Sequence, residues 1–140
     1  MVRSAKAVWE GDFLHGNGTV DVESGLFSGK YSFPSRFESG TGTNPEELLG
    51  AAHASCFSMA LSAMLGESGY IPQKISTKAI VHIDRDMKGF KIAVDLETEA
   101  KVPDIKSEEF QEIAQKAKIG CPVSKALASI EITLKAVLVE

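Results

Sequence analysis

Leu48-Leu49-Gly50-Ala51-Ala52-His53-Ala54-Ser55-Cys56-Phe57-Ser58-Met59-Ala60-Leu61-Ser62-Ala63-Met64-Leu65 carries no charged residue and contains one of only two cysteines in the chain. Just before it, Asn44-Pro45-Glu46-Glu47 gives strong helix-start signals. Asn44 can cap free backbone N–H groups, Pro45 suits the first helical position, and Glu47 has capping-box spacing from Asn44. Glu46 and Glu47 favour the positive end of the helix dipole. The pattern predicts a helix to about Glu67, stopped by Ser68-Gly69. Its length approaches that of a membrane span. Ser55, Ser58, Ser62 and His53 interrupt the apolar run, however, and no basic anchors flank it, so it reads as the core helix of a soluble domain. A helix apolar on every side is buried on every side. One sheet covers one face; packing against the same helix of a second copy covers the other, which predicts a homodimer. The alternative is a monomer whose C-terminal helices cover that face.

The 140 residues suit a single domain spanning 1–140. A net charge of −4 and the lack of a Lys/Arg run argue against nucleic acid or a membrane as partner. Arg3, Lys6, Glu10 and Asp12 occur early with no apolar leader segment, so a cytoplasmic protein is expected. A permanent disulfide is uncommon there. Two widely separated cysteines are then either inert buried thiols or a redox pair.

The N-terminal third reads as short strands and turns. Ala5 to Glu10 alternates like a half-buried strand, His15-Gly16-Asn17-Gly18 turns, and Thr19 to Glu23 returns. Lys30 to Phe37 reads as a further strand, interrupted or placed at an edge by Pro34. Beyond the long helix, two alternating strands around Ala79-Val81-Ile83 and Phe90-Ile92-Val94-Leu96 are joined at Asp86-Met87-Lys88-Gly89. Ser107 can cap a helix whose apolar face is Phe110, Ile113, Ala114 and Ala117. Pro122 opens a short helix to about Ala128, and Ile130 to Leu138 alternates as the last strand. The class is α+β.

Cys56 sits in the middle of the buried helix, where desolvation holds a thiol neutral unless a cation or donor reaches it. His53, three residues earlier, can act as base or metal ligand, or can be a core histidine bonded to a backbone or side-chain group. The further ligands of a zinc motif are missing at any recognised spacing. Cys121, before Pro122, falls at a helix N-cap and is by local physics the more acidic thiol. The residues alone leave open which cysteine attacks and which resolves.

Trp9-Glu10-Gly11-Asp12, Arg36-Phe37-Glu38, the run from Gly42-Thr43-Asn44-Pro45-Glu46-Glu47 through Cys56 to Leu61, and Gly120-Cys121-Pro122-Val123-Ser124 resemble, in order, the osmotically inducible protein C (OsmC) family. The related organic hydroperoxide resistance branch carries its arginine nearer the N-terminus, and Ser35-Arg36-Phe37 fits the OsmC branch better. The resemblance implies an OsmC-like fold, with antiparallel sheets wrapped around long buried central helices and completed by an intertwined homodimer. It implies a thiol-dependent peroxidase that favours organic hydroperoxides, with Cys56 peroxidatic and Cys121 resolving. By the same carry-over, Arg36 is the active-site arginine and Glu46 the carboxylate that orients it. The resemblance also implies an external dithiol as reductant, for which the family suggests a lipoyl type that nothing in the sequence itself identifies; no cofactor or metal is expected.

Arg36 stays protonated and can stabilise a Cys56 thiolate and the alkoxide that leaves. Glu46 can fix the guanidinium through a charge-assisted pair. Glu46 and Cys56 are about 15 Å apart along one helix and roughly 80° apart around it. That spacing suggests active sites at the dimer interface, drawing residues from both chains. Phe57, Met59 and Phe37 are the expected apolar lining. The competing readings are a redox sensor or small-molecule-binding dimer without turnover, and a structural dimer with inert thiols.

Overall fold

The computed structural model describes every residue from Met1 to Glu140 and divides into two compact units, residues 1–48 and 49–140, with the boundary inside the long helix.

The first unit holds three antiparallel strands in the order β1 (Ala5–Glu10), β2 (Asn17–Val22) and β3 (Ser28–Tyr31). Trp9 faces Gly18 across the β1–β2 pair, and Gly18 faces Tyr31 across the β2–β3 pair. The indole and phenol rings meet over that glycine at 5.4 Å. β1 is exposed along its whole length, so the half-buried strand expected from its alternation has no cover in the single chain. The expected strand over 30–37 is overturned after Tyr31. The chain instead enters a short helix, α1 (Phe33–Phe37). Ser32 and Ser35 form a reciprocal capping box and Pro34 occupies the first turn, where its missing N–H costs nothing. The start of the long helix α2 (Pro45–Glu67) completes the unit. Asn44 caps it by accepting from the Glu47 N–H at 2.8 Å. The Glu47 carboxylate accepts from Thr43 Oγ1 instead of closing the expected box.

The second unit is a three-stranded sheet covered by helices. β4 (Lys74–Asp86) and β5 (Gly89–Lys101) form a long antiparallel hairpin, and β6 (Glu131–Val139) adds to β5 in parallel. The parallel pair departs from the all-antiparallel expectation. It requires a crossover, which α3 (Ser107–Gly120) and α4 (Pro122–Ala126) provide. Gly89 closes the hairpin at φ +119, a backbone region that L side chains rarely enter. Ser107 is the first helical residue of α3; Lys106 holds the cap position without a side-chain bond.

One face of α2 packs into the core through His53, Phe57, Leu61 and Leu65, all fully buried, at four-residue spacing. Val94, Leu96 and Ala100 of β5, Val102 and Ile105 beyond it, Phe110, Ile113, Ala114 and Ala117 of α3, and Cys121 form the rest. Those four α3 residues are the apolar face expected from the sequence. Phe110 and Ile113 each contribute about 2–3 kcal/mol of burial. A Cβ at Gly50 would lie 3.3 Å from Val81 Cγ2, so glycine there lets α2 lie close on β4. The opposite face of α2 is exposed at Ala52, Ser55, Met59, Ser62, Ala63 and Gly66. The helix is therefore buried on one side only within the chain.

Candidate active site

The first unit carries the arginine–carboxylate pair. Arg36 on α1 and Glu46 in the first turn of α2 form a forked ion pair. Nη2 donates to Oε1 at 2.7 Å, and Nε donates to Oε1 and Oε2 at 3.1 and 3.2 Å. The Glu46 side chain is 7% exposed and that of Arg36 is 32% exposed, so the carboxylate is the buried partner. The corner between α1 and α2 is held by hydrogen bonds. Ser35 Oγ donates to the Thr43 carbonyl at 2.7 Å, and Asn44 Nδ2 donates to the Ser35 carbonyl at 3.1 Å. These bonds fix the spacing of the helices that carry the pair. The guanidinium also lies 5.1 Å from the Phe37 ring centroid. It borders a pocket of about 250 Å³ lined by Trp9, Phe13, Tyr31, Phe33, Phe37 and Pro45. Phe13, Phe33 and Phe37 contact one another with centroids 4.9–6.1 Å apart. The planar cation is thus gripped by a carboxylate and an aromatic face at the rim of an apolar pocket.

The second unit carries the thiols. Both cysteines are free; Cys121 is buried and Cys56 is partly exposed. Cys56 lies on the flank of the buried stripe of α2 and packs against the cluster that contains Cys121. Burial pushes the Cys56 thiol up from its ordinary value; the Val123 N–H acts in the opposite direction, and the neighbouring Cys121 thiol, within hydrogen-bonding reach, raises it further.

Cys121 occupies the junction of α3 and α4, as C-cap of one and N-cap of the other, and its side chain makes no capping bond. The N-cap position expected for Cys121 is thus the one it holds. Pro122 has no N–H, so the first amide α4 can offer is that of Val123, and it acts on Cys56. His53 is a fully buried histidine whose Nε2 lies 2.7 Å from Ser124 Oγ. Burial lowers its pKa, so the ring is held neutral.

The structure therefore brings together Arg36 with Glu46 in one unit, and Cys56 with Cys121 in the other. Of the expected apolar lining, Phe37 borders the pocket. Phe57 is fully buried in the core and Met59 projects from the helix with 75% exposure. Sequence reasoning missed Phe13, Phe33, Val123 and Ser124. Only Val123 left a usable signal, as the first residue with an amide after a proline at a helix start.

Adjacent reduced thiols on a half-buried helix and a helix junction, in an α+β chain that also carries a forked arginine–glutamate pair, define a thiol-redox protein. The OsmC-like protein family profile matches residues 38–135. The chain is 53% identical over 134 residues to peroxiredoxin OsmC of Escherichia coli K12, covering 94% of this chain and 93% of that one. It is similar in structure to the organic hydroperoxide resistance protein OhrB of Bacillus subtilis, with TM-score 0.75, 28% identity and coverage of 97% and 98%. A Legionella pneumophila structure described as an organic hydroperoxide resistance protein OsmC matches with TM-score 0.77, 27% identity and 97% coverage of both chains. The chain belongs to the OsmC family.

Proposed function

We propose that this protein is a two-cysteine, dithiol-dependent peroxidase that reduces hydroperoxides to alcohols in oxidative-stress defence. The observation that carries this reading is the Cys56–Cys121 pair, two reduced thiols within reach of each other, in a chain 53% identical to a peroxiredoxin. The Cys56 thiolate attacks the terminal oxygen of the hydroperoxide, and the O–O bond breaks. The alkoxide leaves with a proton as alcohol, and Cys56, oxidised by two electrons, becomes a sulfenic acid. The Cys121 thiol then attacks that sulfur, water departs, and a disulfide forms. An external dithiol reduces it by exchange and is itself oxidised; a lipoyl-type dithiol fits the family resemblance.

Burial and the neighbouring Cys121 thiol favour a protonated Cys56 against the Val123 N–H, so the cycle draws on a cation at the sulfur. Arg36 supplies it in this reading, oriented by Glu46, and receives the charge that develops on the leaving oxygen. The aromatic pocket beside Arg36 suits the organic part of an alkyl or aryl hydroperoxide and offers nothing to hydrogen peroxide. We place each active site at the interface of a homodimer, with residues drawn from both chains and the exposed small-residue face of α2 as the contact. Residues 1–140 then act as one functional domain in the cytoplasm.

The test is reaction of the reduced protein with a few equivalents of tert-butyl hydroperoxide, read by intact mass and non-reducing peptide mapping. Rapid formation of an intrachain Cys56–Cys121 disulfide, lost in Cys56→Ser, is the expected result. Slow or absent oxidation would overturn the peroxidase reading. Disulfide formation without turnover in the presence of a dithiol would leave a redox sensor in its place.

A further inference from the structure

The peroxidase cycle uses neither His53 nor Ser124, yet both are buried polar side chains, 0% and 5% exposed, joined by a 2.7 Å bond across 71 residues of chain. Their placement follows that of the thiols. His53 lies three residues before Cys56 on α2, and Ser124 lies three residues after Cys121 on α4. Spacings of three place each pair on neighbouring positions of one helical face. Two polar contacts therefore cross between the same two segments, one imidazole–hydroxyl and one thiol–thiol.

α4 has only five residues and begins at the bend where Cys121 ends α3. A helix this short has little stability of its own and is held by its contacts. Its backbone bonds are local: Lys125 N–H to the Cys121 carbonyl and Leu127 N–H to the Val123 carbonyl. The His53–Ser124 bond ties its first turn to α2, beside the Val123 N–H at the Cys56 thiol and the thiol–thiol contact at the bend. His53 Nδ1 has no partner. A buried N–H without an acceptor costs more than a bare ring nitrogen, which assigns the proton to Nε2 and makes Ser124 Oγ the acceptor.

We infer that His53 and Ser124 are positioning residues for the thiol chemistry: their hydrogen bond latches the first turn of α4 to α2, and so sets both the Val123 amide at Cys56 and the approach of Cys121 to oxidised Cys56. The inference rests on the peroxidase reading, whose two steps it makes separable. With the latch broken, Cys121 pivots at the α3–α4 bend and disulfide closure slows. The Cys56 sulfenic acid then survives long enough to meet a second peroxide and become a sulfinic acid.

The test compares closure in wild type, Ser124→Ala, His53→Leu and the double variant, using one equivalent of tert-butyl hydroperoxide and following sulfenic acid with dimedone and disulfide by mass. Loss of one such hydrogen bond slows closure roughly threefold to tenfold in each single variant. The double variant should be no slower than either, because the two changes remove the same bond. Ser124→Thr and His53→Gln keep a hydroxyl and an Nε2 donor and should recover closure. Ile113→Val, a core substitution two turns before Cys121 on α3 that touches neither partner of the bond, controls for general loosening and should leave the closure rate unchanged. If Ser124→Ala does not fold, the His53→Leu and His53→Gln pair decides by the same comparison. Wild-type-rate closure in Ser124→Ala or His53→Leu, or equal slowing in Ile113→Val, overturns the latch. A wild-type protein whose Cys56 is not oxidised at all overturns the peroxidase reading instead.

Discussion

At the scale of single residues, the forked bond between Arg36 and Glu46 separates charge from geometry. Lysine keeps the cation but cannot make two parallel bonds to a carboxylate. Arg36→Lys should therefore lower kcat/KM for an organic hydroperoxide about tenfold to a hundredfold with folding intact, checked by steady-state kinetics and circular dichroism. Arg36→Ala goes further. It leaves the buried Glu46 carboxylate unpaired, which costs about 1–3 kcal/mol in urea unfolding. On the proposed role it also removes the cation at the Cys56 thiol and leaves only the Val123 N–H against the upward push of burial. Its rate should be low at neutral pH and recover as pH rises and the thiolate forms; a pH–rate profile superimposable on wild type would remove Arg36 from the role assigned to it. His53 gives a second pH effect with a definite sign. Burial lowers its pKa below the ordinary 6.5, so on acidification the unfolded chain takes up the proton first. Stability from this group is present above pH 6.5 and is lost as pH falls through the lower folded value. Urea midpoints from pH 7 down to 5 should fall less steeply in His53→Gln than in wild type.

At the scale of elements, much of the fold could be read from periodicity. The long helix ends where Ser68-Gly69 predicts, and the alternation of Ile92, Val94 and Leu96 places β5 facing the core. Local pattern failed where tertiary geometry or a cap decides. Alternation over Lys30–Phe37 suggested a strand, but Ser32 and Ser35 cap each other and turn the chain into α1, which is what aims Arg36 at Glu46. The last strand was legible as a strand but not as a parallel neighbour of β5, because period two says nothing about which partner is hydrogen-bonded. The site was legible as residue types, since thiol, arginine and carboxylate chemistry limits the choices. Ser124 was not, and Val123 only as the first amide after Pro122, because an amide on Cys56 and a hydroxyl on His53 exist only once α4 lies on α2. The cap itself is testable. Asn44→Ala removes the acceptor for the Glu47 N–H at the end of α2 that carries Glu46. It should cost about 1 kcal/mol in thermal or urea unfolding. Asn44→Asp, which retains an acceptor, should cost much less.

At the scale of the whole molecule, the unresolved demand is cover for surface that one chain leaves bare. α2 is long and apolar enough to cross a membrane by length and composition, a test that the core helix of a soluble protein also passes. One side of it is sealed by His53, Phe57, Leu61 and Leu65; the other presents Ala52, Ser55, Met59, Ser62, Ala63 and Gly66. β1 is exposed throughout despite carrying Val8 and Trp9. Small side chains along a helix let a second helix approach at the close end of the usual 8–10 Å range. A self-complementary contact about a two-fold axis needs no other component than a second copy. In such a dimer Met59, 75% exposed in the single chain, is a central contact. Met59→Glu changes an exposed residue, so in an isolated chain it should alter stability by less than about 0.5 kcal/mol. Across a two-fold contact it sets two carboxylates against each other in an apolar seam, where neither has a counter-charge. Light scattering should therefore give a dimer for wild type and a monomer for Met59→Glu. Peroxide turnover should fall with the dimer, because the interface reading assigns each site residues from both chains. A Met59→Glu protein that stays dimeric would move the interface off this face of α2, and a monomer with full turnover would place every catalytic residue within one chain.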